Sequence, residues 1–114
     1  MTTLLAFVGE QGIAHVQKLI DSEQWEKVIL VTTEKNQNVI TCTKPVKQIL
    51  IDENAPVHYI IDTIKKGLQN EWGEVALNFV SGTGKEHMAL LAAVMRAGLA
   101  FRLVAVTKEG IKEL

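Results

Sequence analysis

Residues 75–88 read Val75-Ala76-Leu77-Asn78-Phe79-Val80-Ser81-Gly82-Thr83-Gly84-Lys85-Glu86-His87-Met88. The run from Val75 to Val80 has the composition of a strand buried on both faces. Ser81 to Lys85 is a turn, and Glu86 to Ala97 reads as a helix that stops at Gly98. The residues of that helix from Met88 to Met95 are apolar without interruption, which predicts burial on several sides. Phe101 to Val106 is a further strand. Strand, turn, helix and strand in this order predict a right-handed βαβ crossover and hence a parallel sheet.

The same alternation extends toward the N-terminus. Leu4 to Val8 is a second continuous apolar run, broken by Gly9-Glu10-Gln11-Gly12. Ile13, Val16 and Ile20 then recur at helical spacing up to about Asp21. Val28 to Thr32 and Lys47 to Ile51 read as strands. Between them, Glu34 to Lys44 is polar and irregular; a short helix or a long loop both fit, and Pro45 argues against a helix running through it. Asn54 is suited to cap a helix with Pro56 in its first turn. Val57, Ile60, Ile61, Ile64 and Leu68 form its apolar stripe, and Trp72-Gly73 closes the unit. Trp25 and Trp72 each precede a strand and are expected to pack beneath it. Lys108-Glu109-Gly110 predicts a hairpin into a short last strand, Ile111 to Leu114. The expectation is one domain over 1–114. It is an α/β, Rossmann-like, doubly wound and mainly parallel sheet of order 3-2-1-4-5, with a C-terminal antiparallel hairpin strand. In that order the chain reverses between strands 1 and 4, and ligands bind at the carboxyl ends of the strands there. The loops at that point are Gly9–Gly12 and Ser81–Lys85, also the two glycine-rich loops of the chain.

Composition narrows the partners. The 114 residues are 47% apolar and 22% charged, which is ordinary for a globular domain. Residues 1–57 carry five basic and seven acidic side chains, and residues 58–114 seven and six, so no basic arm or stripe exists. Long nucleic acid is not an expected partner. A small anion in a local pocket remains compatible. No apolar run reaches bilayer length and the N-terminus lacks the pattern of a signal peptide, so no membrane partner is expected and the reducing cytoplasm is the default location. Cys42 is the only cysteine; it has no base placed near it and reads as an ordinary thiol.

The second glycine loop carries the chemistry. It joins a strand to a helix, so its amides face out of a helix N-terminus, a natural anion site. Ser81 and Thr83 add hydroxyls, and Lys85 adds a cation. It is not a Walker A loop, because Phe79 stands at the first glycine position and Glu86 follows the lysine where a hydroxyl should hold magnesium. Gly9-x-x-Gly12 lacks the G-x-G-x-x-G spacing of a dinucleotide fingerprint. Glycines by themselves also make tight turns in any such fold. His15 and His58 fall off the apolar stripes and are expected in solvent. His87, two residues after Lys85, is close enough to act in a site. The histidines share no metal-ligand spacing, so neither a metal nor another cofactor is expected.

Leu77 to Met88, followed by an Ala/Leu-rich helix, Gly98 and the strand Phe101-Arg102-Leu103-Val104, resembles the CRISPR-associated Rossmann-fold (CARF) domain. That family commonly has a glycine-rich turn ending in Thr-Lys after the fourth strand; here a glycine intervenes, giving Thr83-Gly84-Lys85. The family often carries a small hydroxyl residue in the first turn, where this chain has Glu10 and Gln11. The resemblance implies a homodimer that binds a cyclic oligoadenylate, tetra-adenylate above all, across its two-fold axis. A standalone member resembles the ring nucleases, which open the messenger and switch off type III CRISPR signalling. The ligand bed it implies comprises Gly9, Glu10, Gln11, Gly12, Asn78, Ser81, Gly82, Thr83, Gly84 and Lys85. The catalytic group would be Lys85, Ser81, Thr83 and His87. Ring opening by a ribose 2′-hydroxyl, leaving a 2′,3′-cyclic phosphate, requires no metal and draws mainly on attack geometry and charge stabilisation. The alternatives are a sensor that holds the messenger uncut and a Rossmann-like domain for another nucleotide.

Overall fold

A computed structural model describes residues 2–114. It contains a six-stranded sheet of order β3-β2-β1-β4-β5-β6. The elements in chain order are β1 (Thr3–Val8), α1 (Ile13–Asp21), β2 (Lys27–Thr32), β3 (Val46–Leu50), α2 (Val57–Gly67), β4 (Glu74–Asn78), α3 (Gly84–Arg96), β5 (Ala100–Thr107) and β6 (Gly110–Glu113). β1 to β5 run parallel, and β6 returns antiparallel to β5. This is the expected Rossmann-like order with its terminal hairpin.

The central strand explains the layering. Leu4 to Val8 are all at most 1% exposed. Alternate side chains feed two cores, as the period of a strand requires. Leu5 and Phe7 join the α2 and α3 residues Ile60, Ile64, Ala89, Leu90 and Val94 on one face. Leu4, Ala6 and Val8 join Val16, Leu19 and Trp25 on the α1 face. Trp25 is buried as expected, and its indole N–H donates to the Leu19 carbonyl at 2.9 Å.

Trp72 departs from the expectation: it is 89% exposed. Its neighbour Glu71 goes inward instead and seals the amino end of the sheet. Glu71 accepts from Lys27 at 2.5 Å and from Lys47 at 3.4 Å, with its side chain only 11% exposed. Burial by itself would raise the Glu71 carboxyl; the hydrogen bonds and charges of Lys27 and then Lys47 outweigh it and hold the carboxyl below its ordinary value. A depressed carboxyl contributes stability above the ordinary carboxylate range, about pH 4, and that contribution is lost as the pH falls through the lowered value. Glu71→Gln should therefore cost about 1–3 kcal/mol at pH 7, allowing for the half-exposed lysines. The gap between variant and parent should close in acid. Urea titrations at pH 7 and at successively lower pH check this, and a pH-independent gap would count against the ion pairs.

The irregular stretch 34–45 resolves into a single 3₁₀ turn, Glu34–Asn36, and a strap that stands where a crossover helix would be. Two glutamines hold it by pairing with backbone. Gln17 of α1 donates to the Thr41 carbonyl at 2.7 Å and accepts the Thr41 N–H at 2.8 Å. Gln48 of β3 accepts the Asn38 N–H at 3.1 Å and donates to the Asn38 side chain at 2.8 Å. Asn38 itself takes the left-handed conformation, φ 63°. Ile40 and Cys42 pack down on the α1-side core. Cavities of about 200 and 580 Å³ flank the strap, and Cys42 and Lys44 line both.

Two smaller expectations are corrected, and α3 adds a detail. Asn54 does not cap α2; its N–H bonds the Asp52 side chain at 2.9 Å in a tight turn, and Pro56 occupies the cap position. His15 is half-buried rather than solvated, with its Nε2 3.5 Å from the Val106 N–H. On α3, Met88 and Met95 are 65% and 64% exposed, while the rest of the apolar run is buried or half-buried, in keeping with a helix covered on several sides. Glu86, Ala89, Leu90, Ala93 and Val94 face the core and Leu91 and Ala92 pack half-buried against it, whereas Met88 and Met95 stand out from it. Among the described residues, no helix is long and apolar enough to cross a membrane.

Candidate functional site

β1 and β4 pair through Thr3↔Val75 to Ala6↔Asn78, so the loops that follow them emerge side by side at the carboxyl end of the sheet. They are in contact. A Cβ added to Gly12 would lie 3.1 Å from Ser81, and one on Gly9 would lie 3.5 Å from the Gly82 backbone. Gly82 closes over the Phe7 ring: its φ is +98°, and a Cβ there would lie 2.5 Å from Phe7 Cδ2. Any L side chain at this position meets both backbone strain and a ring held in the core. These glycines are accounted for by the close approach of two turns.

Ser81 is the buckle between them. It is fully buried. Its Oγ accepts the Gly9 N–H at 2.8 Å, and its hydroxyl hydrogen goes to the Gln11 carbonyl. The expectation that Ser81 offers a hydroxyl to a phosphate gives way to this fastening role, because its hydrogen and its access are both taken. Asn78 is likewise committed. Its amide donates to the Val104 carbonyl at 2.9 Å, and its oxygen accepts the Val80 N–H at 3.1 Å. The β4–β5 register ends at Leu77↔Leu103, so Asn78 replaces the next ladder bond with its side chain. At 1% exposure it presents no atom to a ligand.

The remaining groups open outward. Thr83 is the N-cap of α3, in extended conformation, yet it makes no side-chain cap bond. Its hydroxyl bonds the carboxylate of Glu86, which is 7% exposed. The first amides of α3 are thus left without a side-chain acceptor, the arrangement that favours an anion. Lys85 is exposed; its Nζ donates to the Glu53 carbonyl at 3.1 Å, beside the loop that follows β3. His87 is half-buried with its Nε2 2.7 Å from the Ser81 carbonyl. A carbonyl can only accept, so Nε2 carries the hydrogen, and in the neutral ring the lone pair is then on Nδ1. The imidazole also lies 5.2 Å from the Phe79 ring, centroid to centroid.

On the first loop, Gln11 uses its carbonyl for Ser81, while its side chain is exposed. Glu10 turns away toward Lys35, which follows β2, in an exposed ion pair. That hydrogen bond and charge hold the Glu10 carboxyl below, and the Lys35 ammonium above, their ordinary values. Sequence reasoning missed Lys35, since only the fold brings the end of β2 to the crest. It also read Glu86 only as a departure from a nucleotide motif. The spacing Thr83-x-x-Glu86, that of a capping box, was the available signal for their pairing. Among the described residues, no three His, Cys, Asp or Glu side chains come together as a metal site. Compared with family models and with curated proteins, the chain matches none.

Proposed function

We propose that this protein binds a cyclic oligoadenylate, tetra-adenylate above all, at the crest formed by the β1 and β4 loops, and opens the ring slowly without a metal ion. The observation that carries the reading is the uncapped amino end of α3 with exposed Lys85 beside it, standing where β1 and β4 diverge. The resemblance of residues 77–88 to CARF domains supplies the ligand class. The 2′-hydroxyl of one adenylate attacks its neighbouring phosphorus in line, and the 3′,5′ bond breaks to leave a 2′,3′-cyclic phosphate and a 5′-hydroxyl. The protein holds that geometry, and Lys85 with the helix amides meets the charge gathering on the phosphoryl oxygens. His87 Nδ1 is the available base.

One observation favours the second reading, a sensor that binds without cutting. The Ser81 hydroxyl and His87 Nε2 are both spent on internal bonds, so the site has few groups for proton transfer. Incubation with cyclic tetra-adenylate and separation of products distinguishes the two. Cleavage that survives excess EDTA supports the enzyme, tight binding without products supports the sensor, and absence of binding overturns both.

A ring across a two-fold axis needs a second copy, and the outer side of α3 supports one. Exposed Met88 and Met95 stand two turns apart on α3, beginning one turn after Lys85, with half-buried Leu91 and Ala92 between them, and exposed apolar surface of this kind marks an interface. Light scattering at tens of micromolar is expected to give a dimer. The double change Met88→Glu, Met95→Glu should give a monomer of unchanged helicity, and a dimer that persists would move the interface elsewhere.

A further inference from the structure

The two edges of the sheet, β3 and β6, are built differently. An edge strand turns part of its backbone toward solvent, and proteins commonly guard that row with charged side chains. β6 is guarded, since its Lys112 and Glu113 are both exposed. β3 is not. Its one charged side chain, Lys47, is drawn inward, where its ammonium donates to the Gly67 carbonyl and lies 3.4 Å from Glu71. The Thr32 carbonyl accepts the Ile51 N–H at 2.8 Å in the register Thr32↔Leu50. By alternation, Val46, Gln48 and Leu50 point their backbone groups away from β2. Among the described residues those groups have no hydrogen-bond partner. The surface beside them is uncharged. Leu50 is 43% exposed. On α2, Gly67 packs on Ile49, and exposed Thr63 and Tyr59 follow one and two turns earlier on the same side.

We infer that β3 is a self-association edge whose occupant is the β3 of a second copy, running antiparallel with the two-fold axis at Gln48. This register places Val46 opposite Leu50, Gln48 opposite Gln48 and Leu50 opposite Val46. All three are hydrogen-bonded pairs that exchange two bonds each, so every outward group of the strand is satisfied. Lys47 stands opposite Ile49, and no like charges face each other. An axis at Lys47 would set lysine against lysine, and one at Ile49 would leave Val46 opposite Asp52, beyond the strand. The contact is small, hence weak and seen only at high concentration. It is independent of the ligand and lies across the sheet from β5 and β6. A protomer with two-fold contacts at both α3 and β3 joins dimers into a row.

Sedimentation velocity at several hundred micromolar should show the parent growing beyond a dimer. Leu50→Lys sets a charge against Val46 twice per two-fold contact and should weaken this growth by about tenfold or more, with the melting temperature unchanged. Register is read by crosslinking in a Cys42→Ser background. Val46→Cys and Leu50→Cys proteins, air-oxidised as a mixture, should form a disulfide between unlike chains, because paired Cα atoms lie about 5.5 Å apart. Neither variant should crosslink to itself. Thermal melts confirm that each variant is folded, and Leu50→Lys tests the edge without any cysteine change. Parent and Leu50→Lys proteins that sediment alike, or either cysteine variant crosslinking to itself as readily as the mixture, would overturn the inference and leave the ligand assignment standing.

Discussion

Lys85→Ala should fold like the parent and lose most of its activity toward cyclic tetra-adenylate. The side chain is exposed, and its one bond is to the Glu53 carbonyl at the surface, so the change in stability should stay within about 0.5 kcal/mol. Removing a preorganised donor to a developing oxyanion costs about 2.7–4 kcal/mol, or roughly 10²–10³ in rate. The ammonium also meets the ground-state phosphate, so part of the loss should appear as weaker binding. Single-turnover cleavage and an affinity titration divide the two. A Lys85→Ala protein that binds and cleaves like the parent would remove the α3 terminus from the site.

Ser81→Ala should do the reverse and act on the fold. The hydroxyl satisfies the Gly9 N–H and the Gln11 carbonyl from a position with no exposure. Without it, two backbone groups between packed turns lose their partner, at about 1–3 kcal/mol each where water cannot replace it. A total of about 2–6 kcal/mol lowers the melting temperature by on the order of 10 °C or more in a domain of this size. Residual cleavage, measured well below the melt, should fall far less than in Lys85→Ala. A Ser81→Ala protein with the parent's melting temperature and a large loss in rate would return Ser81 to catalysis. The Thr83 and Ser81 hydroxyls look equivalent in the chain, and the difference between them is entirely where each hydrogen goes.

The order of strands and helices was legible because the central strands β1, β2 and β4 are buried on both faces. Leu4–Val8 and Val28–Val31 had to be apolar at every position, and nothing in the chain competes with those runs. The switch point followed from the order alone. What did not follow was made by bonds between distant residues. The strap depends on Gln17 meeting Thr41 and Gln48 meeting Asn38, and neither pair leaves a periodic trace. The same holds for Asn78, whose role as a ladder end depends on where β5 stops pairing. Trp72 and Glu71 show a choice that hydrophobicity misjudges. The carboxylate goes inward because two lysines from other strands await it, and the indole is left outside. The turn residues were found as a site, but their individual duties required knowing which hydroxyl is roofed over.

The strand order also bears on how the chain comes to be assembled. β1 has β2 on one side, beginning at Thr3↔Lys27, and β4 on the other, beginning at Thr3↔Val75. The first edge can be paired early, from nearby chain. The second must wait for residues 75–78, across a long loop closure whose entropy is spent before the contact forms. On a ribosome adding about 5–20 residues per second, that delay is roughly 3–13 s. Throughout it, the most apolar strand of the molecule shows a bare row of amides and carbonyls, the template on which neighbouring nascent chains can misassemble. Yield on expression should therefore respond to synthesis rate and to chaperone supply more than the stability of the finished fold would lead one to expect.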